Sequence, residues 1–358
     1  MADLIASKDA APQHGPRPLP LFLSILWRET ENDPELRRLA LAGLRRFQHT
    51  KRRIFKRPPP SFVADDRALM LHLNIDAARS KTPVVLIPSL VNPPTILDLS
   101  PEMSLGGWLT RQGHDVWLVD WGAPRAEDAG MNLAQHVERL LLPLIAQLER
   151  PPILVGYCLG GTLAMAAAQL CDAKALAVMA APWDFSRYPE TNRSEILELW
   201  TQHHNVCEQL GYLPMEVLQS GFWNLDPART IRKFAAFAQM EEVSGEADAF
   251  VAVEDWANEG EPLTFAAAQE LFEQLYRNNT TAEERWVVGG EVIRPATLRC
   301  PTFSIRSATD RIVPADASPI LKENMEIPLG HVGMIIGRNA PEQLWQPLSD
   351  WLARQEER

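Results

Sequence analysis

From residue 60 onward the chain alternates short apolar runs with helix-forming segments. Apolar runs over 69–74, 84–88, 115–120, 153–155, 175–179, 302–305 and 325–327 predict strands. A helix is expected to end over 108–112, and another to cover 133–148. Strands alternating with helices predict a mostly parallel, doubly wound sheet. Between 185 and 292 this rhythm fails. The stretch is rich in helix formers and carries Trp200, Trp223, Trp256 and Trp286. It predicts a helical cap inserted over the carboxyl edge of the sheet, walling off a site. Taken singly, each tryptophan is better explained by core packing.

The first 60 residues read differently. Residues 1–20 are rich in Pro and Ala and predict a loose tail. Over 36–57 every charged residue is basic, and Leu39, Leu41, Leu44 and Phe47 interleave at roughly helical spacing. Three prolines, Pro58 to Pro60, then end any helix. Such a helix fits an anionic surface. A solvated basic face docked on an acidic body explains it better, since the remainder of the chain is strongly acidic. The expected organisation is therefore a tail and basic helix over 1–60, a core of 61–184 with 293–358, and a cap over 185–292.

Charge and cysteine usage narrow the class. A net charge of −11 argues against general nucleic-acid binding. The four cysteines, Cys158, Cys171, Cys207 and Cys300, are scattered without a CxxC pair. That pattern fits a reducing cytosol and offers neither a zinc site nor a disulfide framework, so no metal or cofactor is expected. No apolar run reaches 18 residues, and no basic segment leads into an apolar one at the N-terminus. Neither a signal peptide nor a transmembrane helix is expected.

The most informative segment is Gly156-Tyr-Cys-Leu-Gly-Gly161, entered by an apolar strand and left by an alanine-rich helix. This is the outline of a nucleophile elbow with Cys158 in place of the more frequent serine. The sharp turn requires small neighbours, which Gly156, Gly160 and Gly161 supply. The helix N-terminus favours thiolate at Cys158. A cysteine nucleophile needs a base and an orienting acid, in the chain order nucleophile, acid, histidine. His331 is the only histidine after the cap and lies just beyond a predicted strand. Asp310 follows the strand over 302–305, with Asp316 as the competing acid. Backbone N–H groups of Leu159 and of either Leu90 or Val91 are candidates for an oxyanion hole. The competing explanations are ordinary ones: a buried structural cysteine, a solvated histidine, a turn-forming aspartate and plain loop packing.

At these residues the chain resembles polyhydroxyalkanoate synthases, which polymerise (R)-3-hydroxyacyl-CoA through a Gly-x-Cys-x-Gly-Gly box on an α/β-hydrolase fold. The segments over 84–99, 112–124, 309–318 and 330–333 resemble that family's early strand and oxyanion loop, its Asp-Trp-Gly-x-Pro segment, and the segments with its catalytic Asp and His. The likeness runs from about 69 to the C-terminus and is greatest to the short synthases that work with a second subunit. It implies Cys158 as nucleophile, His331 as base and Asp310 as the acid. It further implies an α/β-hydrolase core with a cap over the thiol. The partners it implies are (R)-3-hydroxyacyl-CoA, a polyester chain, and a second synthase subunit or a homodimer partner. A cytoplasmic enzyme associated with polyester granules is expected, with 36–57 as the candidate granule contact. One departure stands out: Arg311 follows the acid where the family usually has histidine. A thioesterase or depolymerase on the same triad, and a non-catalytic granule protein, are the alternatives.

Overall fold

Eight strands line up side by side in one sheet. They belong to a computed structural model that describes residues 15–52, 55, 57–73, 81–241 and 244–357. Two compact units are present. Phe55–Gly221 with Glu259–Arg358 forms one, and the chain before Phe55 with Phe222–Asn258 forms the other.

In the first unit the sheet is built from β1 (Pro60–Ala64), β2 (Ala68–His72), β3 (Pro83–Ile87), β4 (Asp115–Asp120), β5 (Ile153–Tyr157), β6 (Ala175–Met179), β7 (Thr302–Ser307) and β8 (Glu323–Ile327). Their spatial order is β1-β2-β4-β3-β5-β6-β7-β8. β2 pairs antiparallel with β1 and β4, and all the other pairs are parallel. β3, β5 and β6 are buried along their whole length, which explains their continuous apolar runs. From β3 the chain moves one way to β4 and then crosses back to β5. The switch between β3 and β5 is where an open α/β sheet leaves a crevice at its carboxyl edge.

The expected strands are all present, with the last two extended to Thr302–Ser307 and Glu323–Ile327. Residue 74, the end of the first expected strand, lies outside the described residues. The helix expected over 133–148 runs from Leu133 to Ile145 and contains a widened turn over Val137–Leu141. Pro143 lies just beyond that turn and has no N–H for a regular helix bond.

The second unit is helical: Leu19–Glu29, Pro34–His49, Pro227–Gln239 and Gly245–Asn258. Asp33 and Asp226 cap two of these helices, accepting from Leu36 N and Arg229 N at 2.9 Å each, and a proline follows each cap. The core is a set of interlocked rings. Phe22, Phe47 and Phe250 meet Phe234 edge-on, with centroids 4.9, 5.8 and 5.3 Å away. Phe237 stacks on Phe250 at 4.2 Å. Gly43 lies against the backbone of Phe234, where a Cβ would collide with the carbonyl oxygen.

The compact units therefore divide the chain differently from the expected tail, core and cap. From Leu19 the N-terminal segment is folded, while residues 1–14 lie outside the described residues. The middle of the expected cap, Phe222–Asn258, groups with the N-terminal helices. The basic segment forms the helix Pro34–His49, and several of its cations are used internally. Arg46 donates to the carbonyls of Phe237, Met240 and Glu241 at 2.7, 2.7 and 2.8 Å. Arg52 forms a bidentate pair with Asp255 at 2.9 Å and sits over the Phe47 ring. Residues 53, 54 and 56 of the basic segment lie outside the described residues.

Candidate active site

β5 delivers the thiol. Its last residue, Tyr157, pairs with Met179 of β6, and the next amide, Cys158 N, still donates to Met179 O at 2.9 Å. The chain then reverses into the helix Leu159–Leu170 with Cys158 at φ 55° and ψ −132°. A non-glycine residue there costs about 1–3 kcal/mol and persists only when its surroundings enforce it. Here close backbone packing enforces it. A Cβ on Gly160 would strike the carbonyl oxygens of Ile87 and Pro88, and one on Gly156 would strike Gly161 Cα. The first turn of the helix is thus pressed against the end of β3. The half-buried Cys158 stands at the helix N-terminus, where the dipole favours a negative sulfur.

The candidate acid and base follow β7 and β8. Asp310 follows β7, and its Oδ1 accepts from Ile312 N and Val313 N at 2.7 and 3.0 Å. Its Oδ2 accepts from His331 Nδ1 at 2.6 Å. His331 follows β8, and with Nδ1 committed its other ring nitrogen is left for Cys158, with which the imidazole hydrogen-bonds. Burial alone would lower the His331 pKa. The electrostatic influence of Cys158 and Asp310, with their hydrogen bonds, outweighs burial and raises it to about 10. Of the two candidate acids, Asp310 is the one on the imidazole, while Asp316 is exposed. Arg311 is exposed as well.

The oxyanion candidates separate. Leu159 N opens the helix beside Cys158. Val91 N donates to Ser89 Oγ at 3.2 Å. No hydrogen bond of Leu90 N occurs among the described residues.

Two further features of the site were not read from the sequence. Tyr157 Oη donates to the backbone oxygen of His331 at 3.1 Å, and its ring lies 5.0 Å from the imidazole. Burial, with Cys158 and Asp310 nearby, holds its pKa well above the usual phenol value, so it remains a neutral donor. Ser307 Oγ donates to Leu329 O and ties the end of β7 to the loop of His331. The second feature is an aromatic group of Phe185, Tyr188 and Tyr276, whose phenols interact electrostatically with Cys158. By contrast Trp200 stacks on Phe272, and Trp286 Nε1 donates to Glu270 at 2.7 Å, both buried. Tyr157 was within the recognised box, but its partner is 174 residues away in sequence. The other cysteines are poor thiolate formers. Burial pushes Cys171 up to about 12, with Cys300 and Asp172 adding to the shift, and it raises Cys207 and Cys300 as well.

A strained cysteine after β5, an aspartate after β7 and a histidine after β8 form the arrangement, and residues 84–344 match the model of the Alpha/beta hydrolase family. The chain belongs to that family. The α/β-hydrolase is also similar to proteins named poly(3-hydroxyalkanoate) polymerase subunit PhaC. The one from Haloferax mediterranei is 26% identical over 95% of this chain and 73% of its own length. The one from Thiocystis violacea is 24% identical over 82% of this chain and 88% of its own. A third, from Cupriavidus necator, is 34% identical over a shorter stretch, 28% of this chain and 16% of its own. The resemblance to polyhydroxyalkanoate synthases thus extends over most of the α/β-hydrolase, which is an enzyme by that kinship. Among its described residues no helix is long and apolar enough to cross a membrane.

Proposed function

We propose that this α/β-hydrolase is an acyltransferase that polymerises (R)-3-hydroxyacyl-CoA through an acyl group carried on Cys158. The observation that carries the reading is the strained Cys158 at a helix N-terminus, hydrogen-bonded to an imidazole that Asp310 orients. The likeness to polymerase subunits supplies the substrate class.

The chemistry divides into two balanced transfers. The Cys158 thiolate attacks the thioester carbonyl of the acyl-CoA. The tetrahedral oxyanion is held by Leu159 N and by Leu90 N, the loop amide that has no hydrogen bond among the described residues. Collapse breaks the bond to CoA sulfur, and the departing thiolate takes the proton of His331. Neutral His331 then accepts the proton of a 3-hydroxyl, whose oxygen attacks the acyl-Cys158. An ester bond forms, the C–S bond breaks, and the thiolate–imidazolium pair returns. Asp310 keeps the imidazole oriented and stabilises its charge throughout. The name of the relatives as subunits supports a second chain as partner. Residues 36–57 remain the candidate granule contact through the cations not used inside the helical unit.

Purified protein is incubated with 3-hydroxybutyryl-CoA while CoA and chloroform-soluble polymer are followed together. CoA release with polymer is expected, and Cys158→Ala is expected to lower both by at least about a thousandfold. Free 3-hydroxybutyrate in place of polymer would make the enzyme a hydrolase. Undiminished CoA release by Cys158→Ala would remove the thiol from the mechanism.

A further inference from the structure

The loop after β3 opens with a carbonyl that a single side chain holds. Trp121 stands directly after β4 and is buried. β3 and β4 are parallel neighbours, so Pro88 and Trp121 leave the same edge of the sheet. The indole Nε1 donates to Pro88 O at 3.0 Å. Among the described residues no backbone N–H donates to that oxygen. The same oxygen lies against Gly160 in the first turn of the elbow helix, where a Cβ would collide with it. The Pro88 carbonyl is thus held between the indole and the backbone that carries Cys158. Ser89 Oγ then accepts from Val91 N at 3.2 Å, while Leu90 N has no hydrogen bond among the described residues.

Trp121 is itself fixed from behind. Its carbonyl accepts from Arg67 Nε at 3.1 Å. Arg67 is buried just before β2, and the buried Asp128 meets its charge at 3.5 Å. His136 completes the support. Its Nδ1 donates to Asn132 O at 2.7 Å, which leaves Nε2 to accept from Arg67 Nη2 at 3.3 Å. Burial pushes the His136 pKa down to about 4, so the ring is neutral and keeps that acceptor. The same ring meets the Trp121 indole edge-on, with centroids 6.3 Å apart. Gly122 takes φ 64°, and a Cβ there would collide with Arg67 O. A buried guanidinium therefore locks the turn from which the indole projects.

We infer that Trp121 is a positioning residue for the oxyanion hole: its indole N–H fixes the Pro88 carbonyl and so holds the Leu90 amide where the tetrahedral oxygen of acyl transfer forms. This rests on the acyl-transfer reading above. An oxyanion hole works through donors that are fixed in advance, so a loop that relaxes weakens transition-state stabilisation without deleting the donor. The indole acts through Pro88 and is not itself a donor to the oxyanion. Phenylalanine would supply most of the apolar volume, and the N–H is the part that reaches the loop.

The test separates acyl transfer from the reactivity of the thiol. CoA release from 3-hydroxybutyryl-CoA needs both the thiolate and the oxyanion hole, whereas alkylation of Cys158 by iodoacetamide needs the thiolate alone. Trp121→Phe is expected to lower kcat for CoA release about ten- to hundredfold, with KM changed less than about threefold, as for a donor misplaced rather than deleted. Alkylation of Cys158, followed by mass spectrometry of its peptide, should keep its rate and pH profile within about twofold of wild type. Replacing Trp121 by 3-benzothienylalanine puts sulfur in place of the N–H and keeps the ring shape, and the same loss is expected. That second variant decides the matter if Trp121→Phe does not fold. CoA release within about twofold of wild type in a folded variant would overturn the assignment. So would alkylation that falls in step with CoA release, since the indole would then support the elbow as a whole. A wild type that is alkylated but releases no CoA overturns the acyl-transfer reading, and this assignment with it. Release by the wild type, with either contrary result in the variants, overturns the assignment of Trp121 alone.

Discussion

At the end of β5, glycines press backbone against backbone to hold Cys158 at a positive φ. In the helical unit, aromatic rings fill the space between helices, and only Gly43 brings two backbones together. The elbow has no slack, because the atoms that meet are carbonyl oxygens and Cα atoms that cannot rotate away. The aromatic core can adjust its side chains but depends on their volume. Adding a methyl group should therefore damage the first region most, and removing volume should damage the second.

Gly160→Ala carries the largest expected effect. The new Cβ would collide with Ile87 O and Pro88 O, so the helix N-terminus must move from β3. A loss of about 3 kcal/mol or more in stability, with loss of CoA release, is expected in denaturant unfolding and activity assays. A variant of normal stability would show that the elbow has slack after all. For the aromatic core, Phe234→Ala should cost about 3–5 kcal/mol, while Phe234→Leu keeps most of the volume and should cost less than half as much. Equal losses would mean that ring geometry outweighs volume there. A smaller effect is expected of Arg46→Ala, which frees three carbonyls at the end of Pro227–Gln239 and should cost about 1–2 kcal/mol. Arg38 pairs with the exposed Glu35 on its own helix, and Arg38→Ala should leave the melting temperature unchanged.

A further expected effect is one of pH. His331 binds its proton more tightly in the folded state, at about 10 against an ordinary 6.5, because Cys158 and Asp310 outweigh burial. Stability from this group is complete below pH 6.5 and is lost as pH rises toward about 10. Cys158→Ser takes away the sulfur that helps raise His331, so the melting temperature should fall less steeply across that window. Parallel melting curves for the two proteins would argue against the charged pair.

Much of the elbow was readable because it is local. Strand, glycines, cysteine and helix occupy consecutive residues, and the turn allows few other residue types. Asp310 and His331 were readable because each follows a strand and the order along the chain is fixed by the sheet. Asp310 and Asp316 compete in the sequence, and it is the contact with His331 that separates them. Leu90 and Val91 could not be told apart from sequence, since the difference is whether Ser89 Oγ takes the amide. The expected division at 185 and 292 missed the grouping of Phe222–Asn258 with the N-terminal helices. Arg46 and Phe237 are 191 residues apart, and nothing in either segment announces the other.

The sequence by itself determined the strand–helix alternation, the turn at Cys158 and the order of Cys158, Asp310 and His331 after their strands, because these depend on backbone sterics and on neighbours along the chain. Tertiary structure alone decided which polar groups find partners: Tyr157 on His331, Asp310 on His331, and Arg46 on three carbonyls. A hydrogen bond depends on distances of a few tenths of an ångström between elements far apart in sequence, and no local pattern encodes that spacing.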